Sequence, residues 1–289
     1  PTLSTGIYRT WFGLSDRLAA AQMAATLLII MAALLWMERR ARAGKQISLG
    51  DGRPVARTSL SGWRSVATTL LLSAPVLGGF ILPVIQLLYW AVPRIDQVLA
   101  PGYMGLLLNS LMIAGLTSVA AIVIAVLLIF ARRLVSDRPR QLASRVAAFG
   151  YAVPGTVLAV GAVIVLGTLD QGINDTLHSI GLGKPGLIFS GTLFAVVFAC
   201  TVRFVTIPVQ GLDAGMQSLS HNLDEGARSM GVPPVRMLRR VHLPLLKVPL
   251  ATSALLVFVD TLKELPATLV LRPFDTNTLA VRAFELASD

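Results

Sequence analysis

Six apolar stretches, residues 18–37, 66–91, 103–130, 146–169, 187–209 and 245–262, constrain this chain more than anything else in it. Crossing the hydrocarbon core of a bilayer takes about 20 helical residues, and each stretch is close to that length or longer. Inside hydrocarbon every backbone N–H and C=O must find a partner within the protein, which leaves helices and closed barrels. A barrel strand crosses in about 10 residues, so these runs are far too long for one. The expected fold is therefore an all-α integral membrane protein with about six transmembrane helices. The composition agrees: of 289 residues, 54% are hydrophobic and 14% charged. The single cysteine, Cys200, falls inside a predicted span, so there is neither a disulfide framework nor a Cys-based metal site. It reads as a small buried apolar residue.

The net charge of +10 could suggest nucleic acid, but the basic residues sit between the apolar runs. That distribution points to a bilayer and excludes nucleic acid as a partner. Segment 38–65 carries Arg39, Arg40, Arg42, Lys45, Arg53, Arg57 and Arg64. Segment 131–145 carries Arg132, Arg133, Arg138, Arg140 and Arg145, and the loop before the last span carries Arg228, Arg236, Arg239, Arg240 and Lys247. The alternate loops hold only Arg94 and Lys184. Positive loops face the cytoplasm, so residues 210–245 are expected there, with 1–17 and the C-terminal segment outside.

The most informative polar stretch is residues 223–244, LDEGARSMGVPPVRMLRRVHLP. It reads as a short helix, a Gly-Val-Pro-Pro turn and a second short helix. Asn222 is expected to cap the first helix, with Glu225 reaching back in a capping box. Gly231 supplies the backbone freedom that ends it. Pro234 suits the first position of the next helix, whose face carries Arg236, Arg239 and Arg240, and Pro244 is expected to close it. A plain reading is an amphipathic loop held near anionic lipid by its arginines. The spacing asks for more. Glu225-Gly226-Ala227, then Gly231, then Val241-His242-Leu243-Pro244 resembles the EAA loop of ABC importer permeases, with Gly226 in place of the usual first Ala. That glycine should loosen the helix by about 1 kcal/mol. The resemblance implies that Asp224, Glu225, Gly226, Ala227, Arg228, Gly231, Val241, Leu243 and Pro244 form the loop that couples the permease to its ATPase.

Thr5, Arg9, Ser15 and Asp16 recur 273 residues later as Thr278, Arg282, Ser288 and Asp289, with Trp11 paired to Phe284 and Thr10 standing against Ala283. In the first copy an apolar span follows at once. A two-half organisation is the expectation: 1–37 as the end of a first half, 38–65 as a Gly-rich cytoplasmic linker, and 66–289 as a second half lacking its final span. The chain opens at Pro1 without an initiator Met or a signal-peptide pattern, so it reads as part of a longer polypeptide. An ordinary basic loop at 38–65 and a chance similarity of the ends are the competing readings.

No phosphate-binding glycine loop is present: Gly44-Lys45 and Gly183-Lys184 lack both the upstream glycine and the following Ser or Thr. His178, His221 and His242 are scattered and read as polar surface residues, and no metal site is expected. The run 151–161, with Tyr151, Pro154, Gly155 and Gly161, reads either as a flexible pathway-lining helix or as a kinked helix packed through its small residues. Asp260, Lys263 and Glu264 share one helix face; Lys263 can pair with Asp260. Charges at membrane depth are costly and mark a pathway or gate, although an ion pair in the outer interface is the alternative. Arg203 is expected to snorkel to the headgroups.

Lys263 to Thr268, Leu271 to Phe274 and the Tyr151–Gly161 run resemble the ferric-iron branch of these permeases. The resemblance implies the type I ABC importer permease fold, in the inner membrane with the EAA-like loop cytoplasmic. It implies two ABC ATPase subunits, which carry the ATP and Mg, a periplasmic substrate-binding protein, and a first permease half in the same full-length chain. No cofactor is expected on this chain, which would be a translocation subunit without enzymatic activity. Thiamine, polyamine or phosphonate import stays open, as do a gradient-driven secondary transporter and a non-transporting membrane anchor.

Overall fold

A computed structural model describes residues 3–14, 16–42, 60–98, 102–134, 138–147, 149–220 and 222–288. Among them every regular element is helical. In chain order the main helices are α1 (Leu3–Tyr8), α2 (Arg17–Arg42), α3 (Trp63–Ala91), α4 (Tyr103–Leu134), α5 (Arg138–Ala147) and α6 (Gly155–Ser179). There follow α7 (Leu193–Phe204), α8 (Thr206–Gln217), α9 (Asn222–Ser229), α10 (Pro234–Leu245), α11 (Lys247–Leu262), α12 (Pro266–Leu271) and α13 (Leu279–Ser288). Much of the expected linker, together with His221 and the terminal Ser15 and Asp289, lies outside the described residues.

Two compact units divide the chain: Glu38–Met104, and Pro1–Met37 with Gly105–Asp289. The first is built on α3, whose ladder widens to a π turn at Leu77–Ile81 between Pro75 and Pro83. Each proline withholds one backbone donor from the helix.

The second unit packs α4, α6, α7, α8, α11 and α12 around one core, and its contact surfaces are rich in small residues. Ala121 and Ala125 of α4, Ala159 of α6, and Ala195, Ala199 and Cys200 of α7 are all fully buried. In lipid there is no hydrophobic drive between helices, so small residues that let backbones approach carry the packing. The clearest case joins α8 to α11. A Cβ on Gly211 would lie 2.5 Å from Ser253 Oγ, and one on Gly215 would lie 2.9 Å from Leu246 and 3.0 Å from Pro249. A second cluster seats Ile7 of α1 and Ala20 and Ala24 of α2 against Val157 and Val160 of α6. Asp16 Oδ1 caps α2 by accepting the Ala19 N–H at 2.9 Å.

The apolar runs became helices, but their number and ends differ from expectation. Among the described residues three helices, α3, α4 and α6, are long and apolar enough to cross on their own, and the count rises to five if each bent pair is one span. The pairs are α7 with α8, bent 41° at Val205, and α10 with α11, bent 76° at Leu246. The sixth expected span lies in α2, whose apolar part, Leu18–Leu34, is shorter. The expected span 146–169 starts later and runs further, as Gly155–Ser179. Pro154 caps α6 with an extended backbone (ψ 140°) and makes no kink inside a helix. Hydropathy runs on unbroken through 146–154, whereas the backbone cannot, because proline disfavours helix in the residue before it.

At the far end of α6, Asp170 is fully buried and holds loop 180–192 in place. Its carboxylate accepts the Phe189 N–H at 2.9 Å, the Ser190 N–H at 2.8 Å and the Ser190 hydroxyl at 2.5 Å. Asn174 bridges the same loop through both the N–H and the C=O of Gly186.

Candidate functional site

Two polar constellations stand out. The first is the helix-turn-helix of α9 and α10. α9 ends in a Schellman motif: the Gly231 N–H donates to Arg228 O at 2.9 Å and the Val232 N–H to Ala227 O at 3.0 Å. Gly231 takes φ +70°, the left-handed conformation that the motif needs. Val232 then packs against Ala227, Met237 and Phe130. Pro234 opens α10 as expected, with Pro233 extended before it. The expected capping box is absent. Asn222 lies inside α9, its N–H donating to Ser220 Oγ at 3.3 Å, and Glu225 makes no side-chain hydrogen bond among the described residues. Pro244 does not close α10 either. The helix includes a π turn at Leu238–His242, carries Pro244 and stops at the bend on Leu246.

Asp224 points inward, and so does His242, which is fully buried and is not the expected surface residue. His242 Nε2 lies 2.8 Å from Asp224 Oδ1, and the ring meets Phe130 edge-on at 5.5 Å. A carboxylate only accepts, so Nε2 carries the proton in this bond. Arg133, from the end of α4, donates from Nε to Asp224 Oδ2 at 2.5 Å. Its Nη atoms donate to the carbonyls of Met216, Leu219 and Ser220 at 3.1, 3.1 and 3.3 Å. These belong to the last turn of α8 and the link that follows, where helix carbonyls otherwise lack donors. Arg132 pairs with Asp213 one turn away. Burial alone would push the Asp224 carboxyl up. The hydrogen bonds from Arg133 and His242 outweigh that and hold it below its usual value of 3.8.

The outward face of the pair is different. Glu225, Arg228, Arg236, Arg239 and Arg240 are exposed, with Met230 and Val235 also exposed beside them. Pro233, Val235, Arg236, Arg239 and Arg240 line an open concavity.

The second constellation lies where three helix breaks meet: the start of α6, Val205 between α7 and α8, and residues 263–265 between α11 and α12. Arg203 Nη1 donates to Glu264 Oε1 at 2.9 Å, so Arg203 does not snorkel. Glu264 is 6% exposed and its Oε1 also accepts the Ala267 N–H at 3.2 Å, which fixes the start of α12. Gly155 lets this pair form: a Cβ there would lie 2.1 Å from Arg203 Nη1 and 2.5 Å from Glu264 Oε1. Gly161 has nothing within 4 Å and serves no such approach. Tyr151 donates its N–H to Thr206 Oγ1 at 3.1 Å, and that hydroxyl donates to Ala147 O at 2.7 Å. Lys263 and Asp260 pair at 2.8 Å; Lys263 is largely exposed. Among the described residues no three His, Cys, Asp or Glu side chains are placed to hold a metal ion.

Arg133, His242 and the Arg203–Glu264 pairing had no signal in the sequence. Their partners lie 91, 18 and 61 residues away, outside any local spacing rule.

Residues 121–273 match the family of binding-protein-dependent transport system inner membrane components. The whole chain is 26% identical, over 295 aligned residues, to the Fe(3+)-transport system permease protein FbpB 2 of Haemophilus influenzae, and covers 55% of that protein. Over 115 residues, 37% of the chain is 33% identical to the putative 2-aminoethylphosphonate transport system permease protein PhnV of Salmonella typhimurium, covering 43% of it. The chain thus spans about half the length of the curated relatives it matches.

Proposed function

The chain belongs to the family of binding-protein-dependent transport system inner membrane components, and from that premise we propose that α9 and α10 couple it to an ATPase in an ATP-driven importer. The reading makes the chain a translocating part with ATP and Mg bound elsewhere, on two ATPase subunits. The basic loops put α9 and α10 in the cytoplasm, and a periplasmic binding protein delivers cargo on the other side. The observation that carries the proposal is the two-sided build of the helical pair. Asp224 and His242 hold its inner side, while Glu225, Arg228, Met230, Val235 and Arg236 stand exposed on a rigid Gly231 turn. Fixed geometry with an uncommitted charged and apolar face suits docking to a partner protein.

Ferric iron is the cargo we favour, because the similarity to an Fe(3+) permease runs the length of the chain while that to a phosphonate permease covers 37% of it. Tyr151, Asp260 and Lys263, beside the Arg203–Glu264 pair, are the side chains proposed to line or gate the path. The reading includes a first permease half in the full-length protein, with 38–65 as the linker. The test is uptake into proteoliposomes holding the full-length permease, its ATPase and a candidate binding protein. ATP-dependent uptake of ferric iron supports the reading. Uptake of 2-aminoethylphosphonate instead would keep the importer and replace the cargo. Uptake that persists without ATP and stops when ion gradients are collapsed would replace it with a secondary transporter.

A further inference from the structure

We propose that α4 is a strut that carries coupling from the α9–α10 loop to the opposite face of the molecule. The idea rests on the coupling role just given to that loop, and extends it to a helix that is remote from it in sequence. Chain connectivity alone hands a motion of the loop to its neighbours, α8 before it and α11 after it. Arg133 adds α4. It joins Asp224 of α9, and through it His242 of α10, to three carbonyls at the end of α8, while Phe130 and Leu134 pack into the same apolar cluster as Ala227 and Met237.

The other end of α4 is pinned as well. Asn109 Nδ2 donates to Asn277 O at 3.2 Å, and Ser110 Oγ accepts the Leu279 N–H at 2.9 Å. These bonds hold the start of α13, where Thr278 and Val281 are buried. Glu285 braces the same segment by accepting from Arg272 at 3.0 Å and from Asn277. Midway, Ser118 Oγ donates to Ala254 O of α11 at 2.8 Å. Between Ser110 and Arg133 lie 23 helical steps, about 35 Å at 1.5 Å per residue, enough to cross the hydrocarbon. No break interrupts α4 over that length, whereas α7–α8 and α10–α11 both bend. An unbroken helix fixed at both ends transmits displacement; a bent pair can absorb it. By linkage, coupling between the two faces acts in both directions, so a protein docking beside Asn277 should be felt at the loop.

The experiment uses the full-length permease with its ATPase and binding protein. In the double variant Asn109→Ala/Ser110→Ala, both changes lie about 35 Å from the loop. ATPase co-purification and basal hydrolysis should stay within twofold of wild type, while stimulation by the binding protein falls at least fivefold. Stimulation within twofold of wild type overturns the strut. If the double variant fails to fold, Asn109→Cys with Asn277→Cys, joined by a short thiol cross-linker, decides. A pin that is meant to stay closed should keep at least half of the stimulation after cross-linking, and a loss that reverses on release of the cross-link overturns the proposal. A wild-type complex that neither retains ATPase nor responds to binding protein would instead sink the coupling reading itself.

Discussion

At the scale of single residues, the sharpest expectations come from glycines and from Asp224. A Cβ on Gly150 would lie 2.1 Å from the Val202 carbonyl oxygen, a backbone atom that cannot rotate away. Gly150→Ala should therefore cost about 1–3 kcal/mol of overpacking. Gly161→Ala, in open space on a helix, should be neutral or gain up to about 1 kcal/mol. Thermal unfolding of both variants in detergent checks the contrast, and equal melting temperatures would contradict it. Asp224 predicts a pH dependence. Its folded pKa is depressed below the usual 3.8, so its contribution is complete above that unfolded value and is lost as pH falls through the lower folded value. Asp224→Asn should cost about 1.5–3 kcal/mol at neutral pH, the worth of hydrogen bonds to a charged group. The gap to wild type should begin to narrow below about pH 4 and close only below the lower folded value. A gap that stays constant from pH 7 to pH 3 would remove the carboxylate from the explanation.

At the scale of elements, Gly231 is the decisive turn. Valine there would have to adopt φ +70°, which β-branched residues avoid. Gly231→Val should change the α9–α10 angle and lower ATPase co-purification or binding-protein-stimulated hydrolysis at least fivefold, with membrane insertion unchanged. Both activities at wild-type level would leave the turn as a mere helix end. Elements were also where the sequence was legible in part. Long apolar runs announced helices because the bilayer demands length, and the Gly231–Pro234 punctuation announced the turn because only those residues suit it. The breaks at Val205 and Leu246 stayed hidden, since hydropathy records composition and is blind to a bend. The buried ties were hidden for another reason. Arg203 and Arg133 look like any basic residue near a span end until Glu264 and Asp224 arrive from other helices. His242 looked like a surface residue because its neighbours in sequence are exposed arginines.

For the whole molecule, orientation is the property to test. If the basic loops face the cytoplasm, Arg236→Cys should react with an impermeant thiol reagent only in inside-out vesicles. Lys184→Cys, in the loop held by Asp170, should react only from the other side. Cys200 is fully buried and should contribute little background. Labelling of both positions from one side would refute the topology, and an exchange of the two sides would reverse it. The proposed strut belongs to this scale too, since it makes the two faces parts of one lever.

The Arg132–Asp213 and Arg133–Asp224 pairs bear on how the protein meets its solvent. Charge counting credits the end of α4 with two cations for the anionic leaflet. Both are neutralised within the protein, and Arg133 is nine-tenths buried. The surface potential of that face is therefore weaker than a count of its arginines alone suggests, and ionic strength should have little hold on α4. Its position is set by internal bonds, while the exposed arginines of α10 are left to respond to salt.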